Sequence, residues 1–350
     1  MRTLRPIDLF IALAHIYFVF VAGWAITHFI FGDRWAWLFL FNSGAPYLFV
    51  PLPLLGAIAF AARRPELWVE LIVVVVLAVI LFGGLFIPKS APVQPNVPTL
   101  TVMTFNVLDT NYARASIIES IRSADADVIA LQELNAGTAE IIRRELIRDY
   151  PYQILDPKER TRGMGIISRL PMQATGESLP NQGVGETQIV SLDWAERTIV
   201  VMNVHPMPTV ARPPRFLVGS ERVEWTIRER ERDIETTMNF AASKELPVIV
   251  LGDFNTPEQS EAYRIATRTL IDSWREAGWG FGHTFPAPDG SGGSRIFVAG
   301  MPLPTWLVRI DYIFHSQHWC ALSTRLGPWD GYSDHRPVIS ELTLSEFLVK

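Results

Sequence analysis

Two oxygen-bearing side chains directly follow a short apolar segment. The segment 248–251, Val-Ile-Val-Leu, is apolar and β-branched, which predicts a buried strand, and Gly252 ends it. Asp253 and Asn255 come next, two residues apart, and Pro257 follows. A carboxylate and a carboxamide at the end of a rigid strand suit a site for phosphate and a hard cation, because both supply oxygens and the amide also donates. An ordinary Asp/Asn turn is the alternative interpretation.

Other polar side chains occupy similar places along the chain. Each lies at or just beyond the end of a predicted strand or, for the last two, just before one: Asn106, Glu133, His205, Asp253, Asn255, Asp311, Asp334 and His335. Polar residues placed repeatedly at strand ends can converge on one cleft. The set therefore predicts one catalytic site, whereas each residue alone could be a strand-end cap, a turn or a satisfied buried group.

The elements that would position these residues begin at Leu100. Helices are expected at 115–123, 136–149 and 222–242, and strands at 100–107, 128–133, 163–169, 188–194, 198–204, 248–251, 310–314 and 337–340. Strands that alternate with amphipathic helices predict a two-layered α/β sandwich.

The arginine-rich part of the last helix has two interpretations. Arg222, Arg228, Arg230 and Arg232 alternate with acidic residues. This pattern is typical of a solvated helix face with charge pairs four residues apart. The alternative is that one of these arginines contacts a substrate phosphate, and His283 is a similar candidate for substrate contact.

The first 89 residues differ from the rest in hydropathy. Hydrophobic residues make up 49% of the 350-residue chain, and the excess lies before residue 90. Three segments, 7–31, 35–62 and 67–87, are apolar and long enough to cross a bilayer of roughly 30 Å. The prolines of the second segment are expected to kink it or to make part of it re-entrant. The first segment is too long for a cleaved signal peptide and lacks a small-residue cleavage site.

The basic residues near these segments predict a topology. With three spans, they divide into Arg2, Arg5, Arg63 and Arg64 on one side and Arg34 and Lys89 on the other. The positive-inside rule then places the N-terminus in the cytoplasm and everything after Lys89 outside, at the cell membrane. A re-entrant second segment would reverse this for the rest of the chain. We expect a transmembrane domain at 1–89, a proline-rich linker at 90–98 and a water-soluble domain at 99–350.

The charge balance and the cysteine count bear on nucleic-acid binding and on disulfide formation. After residue 89 the chain holds 25 basic and 32 acidic residues, a poor basis for gripping a nucleic-acid backbone without sequence preference. Cys320 is the single cysteine, so an internal disulfide is excluded.

Five motifs occur in an order that resembles the endonuclease/exonuclease/phosphatase superfamily, which has the DNase-I-like fold. They are Thr104-Phe-Asn106, Gln132-Glu133, Gly252-Asp253-Phe-Asn255, Arg309-Ile-Asp311-Tyr and Ser333-Asp334-His335-Arg-Pro337. The similarity covers about residues 99–345, and the layout with N-terminal spans is similar to a membrane-anchored bacterial branch. The resemblance implies a four-layered α/β/β/α sandwich and a divalent cation, Mg²⁺ or alternatively Mn²⁺ or another ion, that assists the attack of water on phosphorus.

The resemblance also assigns residues to the metal. Glu133 is expected to be the principal metal carboxylate, and Asn106 and Asp334 to position the metal or its waters. Mg²⁺ fits this set because it prefers a few carboxylates together with water and phosphate oxygens.

The remaining residues are assigned to proton transfer and phosphate binding. His335 is expected to be the general base or a phosphate partner, with Asp311 orienting its imidazole. Asp253 is the alternative base. Asn255 would donate to the phosphoryl oxygen in the transition state, and His205 matches an additional phosphate-binding histidine.

Two apolar, proline-rich loops, 206–219 and 296–308, favour a lipid-borne phosphate over DNA, because such loops suit a membrane interface or an acyl chain. The alternative is that they pack on the membrane domain. We therefore expect a phosphohydrolase or phosphodiesterase acting on a phospholipid, a sphingolipid or a polyprenyl pyrophosphate, with the bilayer as partner. An extracytoplasmic nuclease is the second hypothesis, and a non-catalytic binding module is the third.

Overall fold

The computed structural model describes residues 6–89, 97–180, 183–209, 221–288, 297–298, 301–302 and 304–348. Its first part is entirely helical. The helices are α1 (Pro6–Phe31), α2 (Ala36–Ser43), α3 (Leu52–Ala62) and α4 (Pro65–Phe82), with 3₁₀ turns at Ala45–Phe49 and Gly83–Leu85. Three stretches are long and apolar enough to cross a membrane: Ile7–Phe31, Ala45–Ala62 and Pro65–Leu85. His15 Nδ1 lies 2.9 Å from Glu70 Oε2 and so pairs α1 with α4.

The second expected span, 35–62, is not one continuous helix. Helix α2 ends at Ser43, a 3₁₀ turn that contains Pro46 follows, and helical structure resumes at Leu52 after Pro51. Proline lacks an N–H donor and clashes with the preceding turn, which explains the break. The apolar stretch that could cross a membrane therefore begins at Ala45, and α2 is a separate element.

The rest of the described chain is an α/β sandwich. Its strands are β1 (Leu100–Asn106), β2 (Val128–Gln132), β3 (Tyr152–Asp156), β4 (Met164–Ser168), β5 (Met172–Ala174), β6 (Gln188–Trp194), β7 (Arg197–Val204), β8 (Val248–Asp253), β9 (Ile271–Asp272), β10 (Phe297–Val298), β11 (Met301–Pro302), β12 (Asp311–His315), β13 (Trp319–Leu326) and β14 (Val338–Leu344). Its helices are α5 (Arg114–Ala124), α6 (Ala136–Glu145), α7 (Glu221–Ala242), α8 (Glu261–Thr267) and α9 (Ser273–Ala277), with 3₁₀ turns at Arg160–Arg162 and Ser345–Phe347. One six-stranded sheet has the order β13-β14-β1-β2-β4-β3, a second has the order β5-β6-β7-β8-β12-β9, and β10 and β11 form a separate hairpin.

The alternation of side chains along β1 shows how the layers are built. Leu100 and Val102 join the core between the two sheets, which includes Ile249 of β8. Met103 and Phe105 point the other way, into a core shared with α5 and α6. Both faces of β1 are covered, which explains why apolar residues occur on both faces of the strand.

The second sheet is covered in the same way. Met202 of β7 and Val250 of β8 pack with Ile234 and Met238 of α7. The layers are therefore helix, sheet, sheet and helix, which confirms the four-layered α/β/β/α sandwich.

Several expected boundaries differ from the structure. The helix expected at 136–149 ends at Glu145. Strands β3 and β13 were not expected from the sequence; both are edge strands of the first sheet. Residues 210–219 of the first apolar loop lie outside the described residues, so the expectation about its position stays a prediction. The second loop, 296–308, is described in part, and the hydroxyl of Tyr47 in the helical region donates to its Leu307 carbonyl over 2.8 Å. This contact favours the alternative that the second loop packs on the helical region.

Helix α2 packs against the sandwich. Its Ala36 and Phe39 form a buried cluster with Val223 and Ile227 of α7. The guanidinium of Arg230, also on α7, lies 4.9 Å from the centre of the Phe39 ring. Cation–π attraction therefore adds to apolar burial at this contact.

Polar contacts reinforce the junction between the helical region and the sandwich. The backbone N–H of Glu261, the first residue of α8, donates to Asp33 Oδ2 over 2.8 Å, and Asn42 Nδ2 donates to Asp33 Oδ1 over 2.6 Å. Near the end of the helical region, the N–H of Gly280 donates to the carbonyl of Leu85 over 2.7 Å. The helical region is thus in direct contact with the sandwich at both α2 and the end of α4.

Candidate active site

Strand direction brings the predicted site residues to one edge of the sandwich. Strands β1 and β2 are parallel, as are β7 and β8, so each pair ends at a common edge, and the antiparallel strands β12 and β14 begin there. The residues at this edge are Asn106 and Asp253 at strand ends, Glu133 and His205 just after strands, Asp311 at a strand start and His335 just before one. The predicted convergence of these residues is therefore present in the structure.

Glu133 and Asn106 form the centre of the site. Asn106 Nδ2 donates to Glu133 Oε1 over 3.1 Å and to Asp253 Oδ2 over 3.0 Å, and its Oδ1 accepts from the N–H of Leu108. In this arrangement Asn106 holds two carboxylates in place, because its amide hydrogens point at them. Glu133 has φ of 57°, a left-handed conformation that is unusual outside glycine and is found at functional sites.

The electrostatics of Glu133 favour a cation beside it. The side chain is 9% exposed, and burial raises its pKa, with the charge of Asp334 adding to the effect and His205 opposing it. A carboxylate buried near other carboxylates is stabilised by a bound cation. The donor set, oxygen-rich with two histidines close by, therefore fits a divalent metal ion.

Asp253 contacts Asn106 and lies close to both histidines of the site. Its Oδ2 is 3.5 Å from His205 Nε2 and 3.7 Å from His335 Nε2, and its Oδ1 accepts from the N–H of Asn255 over 2.9 Å. Asn255 also has a left-handed backbone, with φ of 52°, and its Nδ2 donates to the carbonyl of Pro206 over 3.1 Å. This turn fixes both side chains of the Asp-Phe-Asn segment.

His335 and Asp311 form a buried pair. His335 Nδ1 and Asp311 Oδ2 are 2.9 Å apart, and both side chains are at least 95% buried. Burial alone would lower the pKa of His335, but the charges of Asp311 and Asp253 and the hydrogen bond to Asp311 raise that pKa well above its ordinary value. Burial raises the pKa of Asp311, and His335 opposes the shift. The pair therefore holds a proton on the imidazole, with Nε2 turned toward Asp253.

Asp334 is placed at the rim of the site. Its side chain is 16% exposed, and its Oδ1 lies 4.0 Å from His335 Nε2. Within the described residues, two groups bring metal-ligating atoms within 4.8 Å of one another: Glu133 with His205 and Asp253, and Asp253 with Asp311 and His335. Asp253 belongs to both groups, and the sequence analysis suggests it as the alternative general base. Its position allows either role, metal ligand or base.

Two further side chains support the site and had been given no role from the sequence. Ser333 Oγ donates to the carbonyl of Asn106 over 2.7 Å and accepts from the N–H of His335 over 3.0 Å. Thr284 Oγ1 accepts from the N–H of Asp311 over 3.4 Å. Ser333 belongs to the Ser-Asp-His motif, which could have identified it, but Thr284 lies in a loop without any such signal.

The remaining candidates have partners other than the site residues in the structure. Arg228 and Arg232 are paired with acidic neighbours on the exposed face of α7, whereas Arg230 is fully buried against Phe39. His283 Nδ1 lies 2.8 Å from the carbonyl oxygen of Trp306. The expectation of a wholly solvated arginine face is thus wrong at Arg230, because α2 covers that turn of α7.

Comparison with known proteins identifies related sequences and folds. The family model described as Endonuclease/Exonuclease/phosphatase family matches residues 103–335. An endonuclease/exonuclease/phosphatase family protein from Bacteroides thetaiotaomicron has a similar structure, with 16% identity, coverage of 71% of this chain and 99% of that chain, and a TM-score of 0.51. An endonuclease/exonuclease/phosphatase from Beutenbergia cavernae has 20% identity, coverage of 70% of this chain and 72% of that chain, and a TM-score of 0.50. D. rerio TDP2 complexed with single strand DNA product has 14% identity, coverage of 70% of this chain and 99% of that chain, and a TM-score of 0.53. At these identities the likeness shows a shared fold, and no curated protein matches the sequence.

Proposed function

The chain belongs to the Endonuclease/Exonuclease/phosphatase family and is a metal-dependent hydrolase of phosphoric ester bonds, and we propose that its substrate is a lipid-borne phosphate ester, reached by an enzyme anchored in the membrane. We propose that the chain is divided into a transmembrane domain at 1–89, a linker at 90–98 and a catalytic domain at 99–350.

The observation that carries the lipid proposal is the contact between the sandwich and the helical region. The N–H of Glu261 is bonded to Asp33, between the first apolar span and α2, and the N–H of Gly280 to Leu85, at the end of the last span. Both contacts lie where the chain leaves an apolar span. Such a sandwich is held at the level of lipid headgroups, where a lipid phosphate is close and a long nucleic acid is not.

The positions of charge support an extracytoplasmic site. Arg63 and Arg64 lie between α3 and α4, at the end of the spans opposite to Asp33 and Lys89. By the positive-inside rule, the Arg63–Arg64 end faces the cytoplasm and the sandwich faces outward.

We assign the metal to the Glu133 side of the cleft. Glu133 and Asp334 would hold Mg²⁺, and Asn106 orients Glu133 by donating to its Oε1. When bound, a divalent cation supplies charge stabilisation at the phosphate oxygens and leaving group. Mg²⁺ is the ion best suited to a few carboxylates with water and phosphate oxygens.

The side chains opposite act on the phosphate and on water. Asp253 accepts a hydrogen bond from the attacking water and orients it. His335, kept protonated by Asp311, donates from Nε2 to a phosphoryl oxygen, and His205 contributes a second imidazole at the same phosphate. Asn255 donates its remaining amide hydrogen to the oxygen that gains charge in the transition state.

The substrate class is tested with purified full-length protein and Mg²⁺. Phosphate or headgroup release is measured on a panel of phospholipids, sphingolipids and polyprenyl pyrophosphates in mixed micelles, and on DNA and RNA. The proposal predicts lipid turnover that Glu133→Gln abolishes. Turnover of nucleic acid without turnover of any lipid would contradict it and would favour the extracytoplasmic nuclease.

A further inference from the structure

A loop of the sandwich presents a tryptophan beside the end of α4. Trp279 lies between Gly278 and Gly280, and its side chain is 66% exposed. Its ring centre is 5.9 Å from that of Phe86, which follows the last apolar span and is itself 44% exposed. Ile87, the next residue, is 63% exposed. These three side chains form an apolar patch at the junction, here named the Trp279 patch.

The backbone under Trp279 is held firmly, so the exposure of the ring is imposed by the fold. Gly280 has φ of 76°, its N–H donates to Leu85, and its carbonyl accepts from Trp274 Nε1 over 2.9 Å. A Cβ added at Gly282 would lie 2.3 Å from the Trp274 ring, so the chain passes closely over that ring. A rigid loop that projects a large aromatic ring outward is typical of a contact surface.

The surroundings of the patch select the bilayer as the partner. The helical region also exposes Trp37, 41% exposed, near the same end of the spans, and Trp68, 41% exposed, at the opposite end. Tryptophan and tyrosine are enriched at the two membrane–water interfaces because one end of the ring is apolar and the other polar. Trp279 continues this aromatic belt from the helices onto the sandwich.

The patch is also close to the catalytic cleft. Phe281 stacks on His283 with ring centres 5.1 Å apart, and the next residue, Thr284, is hydrogen-bonded to the N–H of Asp311. Thr284 follows Trp279 by five positions, so their Cα atoms lie within about 17 Å of each other.

We propose that the Trp279 patch is a second membrane contact, made by the catalytic sandwich itself, which inserts at the headgroup–acyl boundary and keeps the cleft at the depth of lipid phosphates. This inference rests on one part of the proposed function, namely that the helical region anchors the protein in the membrane. It adds that the sandwich touches lipid directly, through residues outside the spans.

A position-specific probe tests the contact. Because Cys320 is the single cysteine, a Cys320→Ser background permits labelling of Trp279→Cys with an environment-sensitive fluorophore. The matched control is Leu246→Cys, which is 41% exposed and precedes β8 at the end opposite to Asp253. In nanodiscs of phosphatidylcholine and phosphatidylglycerol with headgroup-proximal spin-labelled lipid, we expect quenching and a blue shift at position 279 and water-like emission at position 246. Equal, unquenched emission at both positions would overturn the proposal.

Activity provides the second readout. Trp279→Ser should lower kcat/KM on the vesicle-borne substrate by about tenfold, the change expected when roughly one buried apolar side chain is lost from an interface. It should leave hydrolysis of a small soluble phosphodiester, bis(p-nitrophenyl) phosphate, unchanged, which shows that the variant is folded. Equal losses on both substrates would contradict a membrane-contact role. Quenching at position 279 in a protein that hydrolyses no lipid would support the contact and refute the substrate proposal, so the two failures are distinguishable.

Discussion

Arg309 is a buried cation that fixes the start of β12. Its Nη1 and Nη2 donate to Asp272 Oδ1 and Oδ2 over 3.1 and 2.7 Å, and Nη2 also contacts Glu258. The guanidinium lies 4.5 Å from the centre of the Tyr312 ring. Because Asp311 follows two residues later, this ion pair helps to position the carboxylate that holds His335.

Replacing Asp272 by asparagine keeps the shape of the side chain and removes the charge opposite Arg309. Both residues are 3% exposed, and breaking a buried pair from one side costs about 3–5 kcal/mol. Since Glu258 remains in contact with Arg309, we expect the lower end, about 3 kcal/mol, for Asp272→Asn. At about 2–4 °C per kcal/mol for a domain of this size, the Tm should fall by about 6–12 °C.

Thermal unfolding of the full-length protein in detergent measures this effect, and a double-mutant cycle isolates the pair. Arg309→Met should be at least as destabilising, because it leaves Asp272 buried with only the hydroxyl of Tyr263 and the N–H of Trp274 as partners. Arg309→Met/Asp272→Asn should then be more stable than Arg309→Met alone, because the double variant leaves no unpaired charge at Asp272. A Tm for Asp272→Asn within about 1 °C of the wild type, or a double variant whose loss is the sum of the single losses, would refute this reasoning.

Three other substitutions test the site and its support. Asp311→Asn removes the charge that orients His335, and kcat should fall by about 10²–10⁴-fold; an unchanged kcat would remove Asp311 from the mechanism. Gly252→Ala places a Cβ 1.9 Å from the carbonyl oxygen of Val204, so we expect a lower Tm and lower activity together, measured on the same preparation. Burial raises the pKa of Glu231 to about 7 in the folded state, whereas the unfolded pKa is about 4.3. The neutral carboxyl therefore stabilises the folded state at low pH, and this stabilisation is lost as the pH rises from about 4.3 through about 7. Glu231→Gln should therefore have a higher Tm than the wild type at pH 8 and a difference near zero only below the unfolded pKa, at about pH 4; a constant difference would contradict the shift.

The sequence was most informative where a strand is buried on both faces. The apolar run 248–251 before Asp253 and the largely apolar strand that ends at Asn106 both identify core strands, and each is followed by a polar residue that does not belong to the apolar core. Strand direction then determines which ends meet. For this reason the convergence of the site residues could be predicted before any distance was known.

Edge strands and breaks in the helical region were harder to predict. In β3, which is covered less completely, Tyr152 is exposed and the other four residues are partly exposed, so the strand lacks the apolar pattern of the core strands. The break after Ser43 lies within an uncharged segment, where hydropathy shows no boundary and only the prolines indicate one. The kink expected at these prolines is present, although its position could not be placed from hydropathy. Strand β3 was missed because apolar periodicity reports burial, which an edge strand does not follow.

Contacts between distant segments could not be predicted at all. Burial of Arg230 depends on Phe39, almost two hundred residues earlier, and the capping of Glu261 depends on Asp33. An arginine among acidic neighbours has the same local pattern whether it faces water or a docked helix. The packing of the helical region on the sandwich decides between these environments, and no local pattern encodes it.

The most direct test of the central claim is the metal dependence of phosphoester hydrolysis in the Glu133→Gln variant. The matched control is Glu140→Gln, a neighbouring exposed glutamate paired with Arg143 on α6. With a soluble phosphodiester and increasing Mg²⁺, we expect wild type and Glu140→Gln to share one saturation curve. Glu133→Gln should lose at least about 10²-fold in rate and require more Mg²⁺. Wild-type turnover by Glu133→Gln at the same Mg²⁺ concentration would contradict the placement of the metal and the catalytic site at this edge of the sandwich.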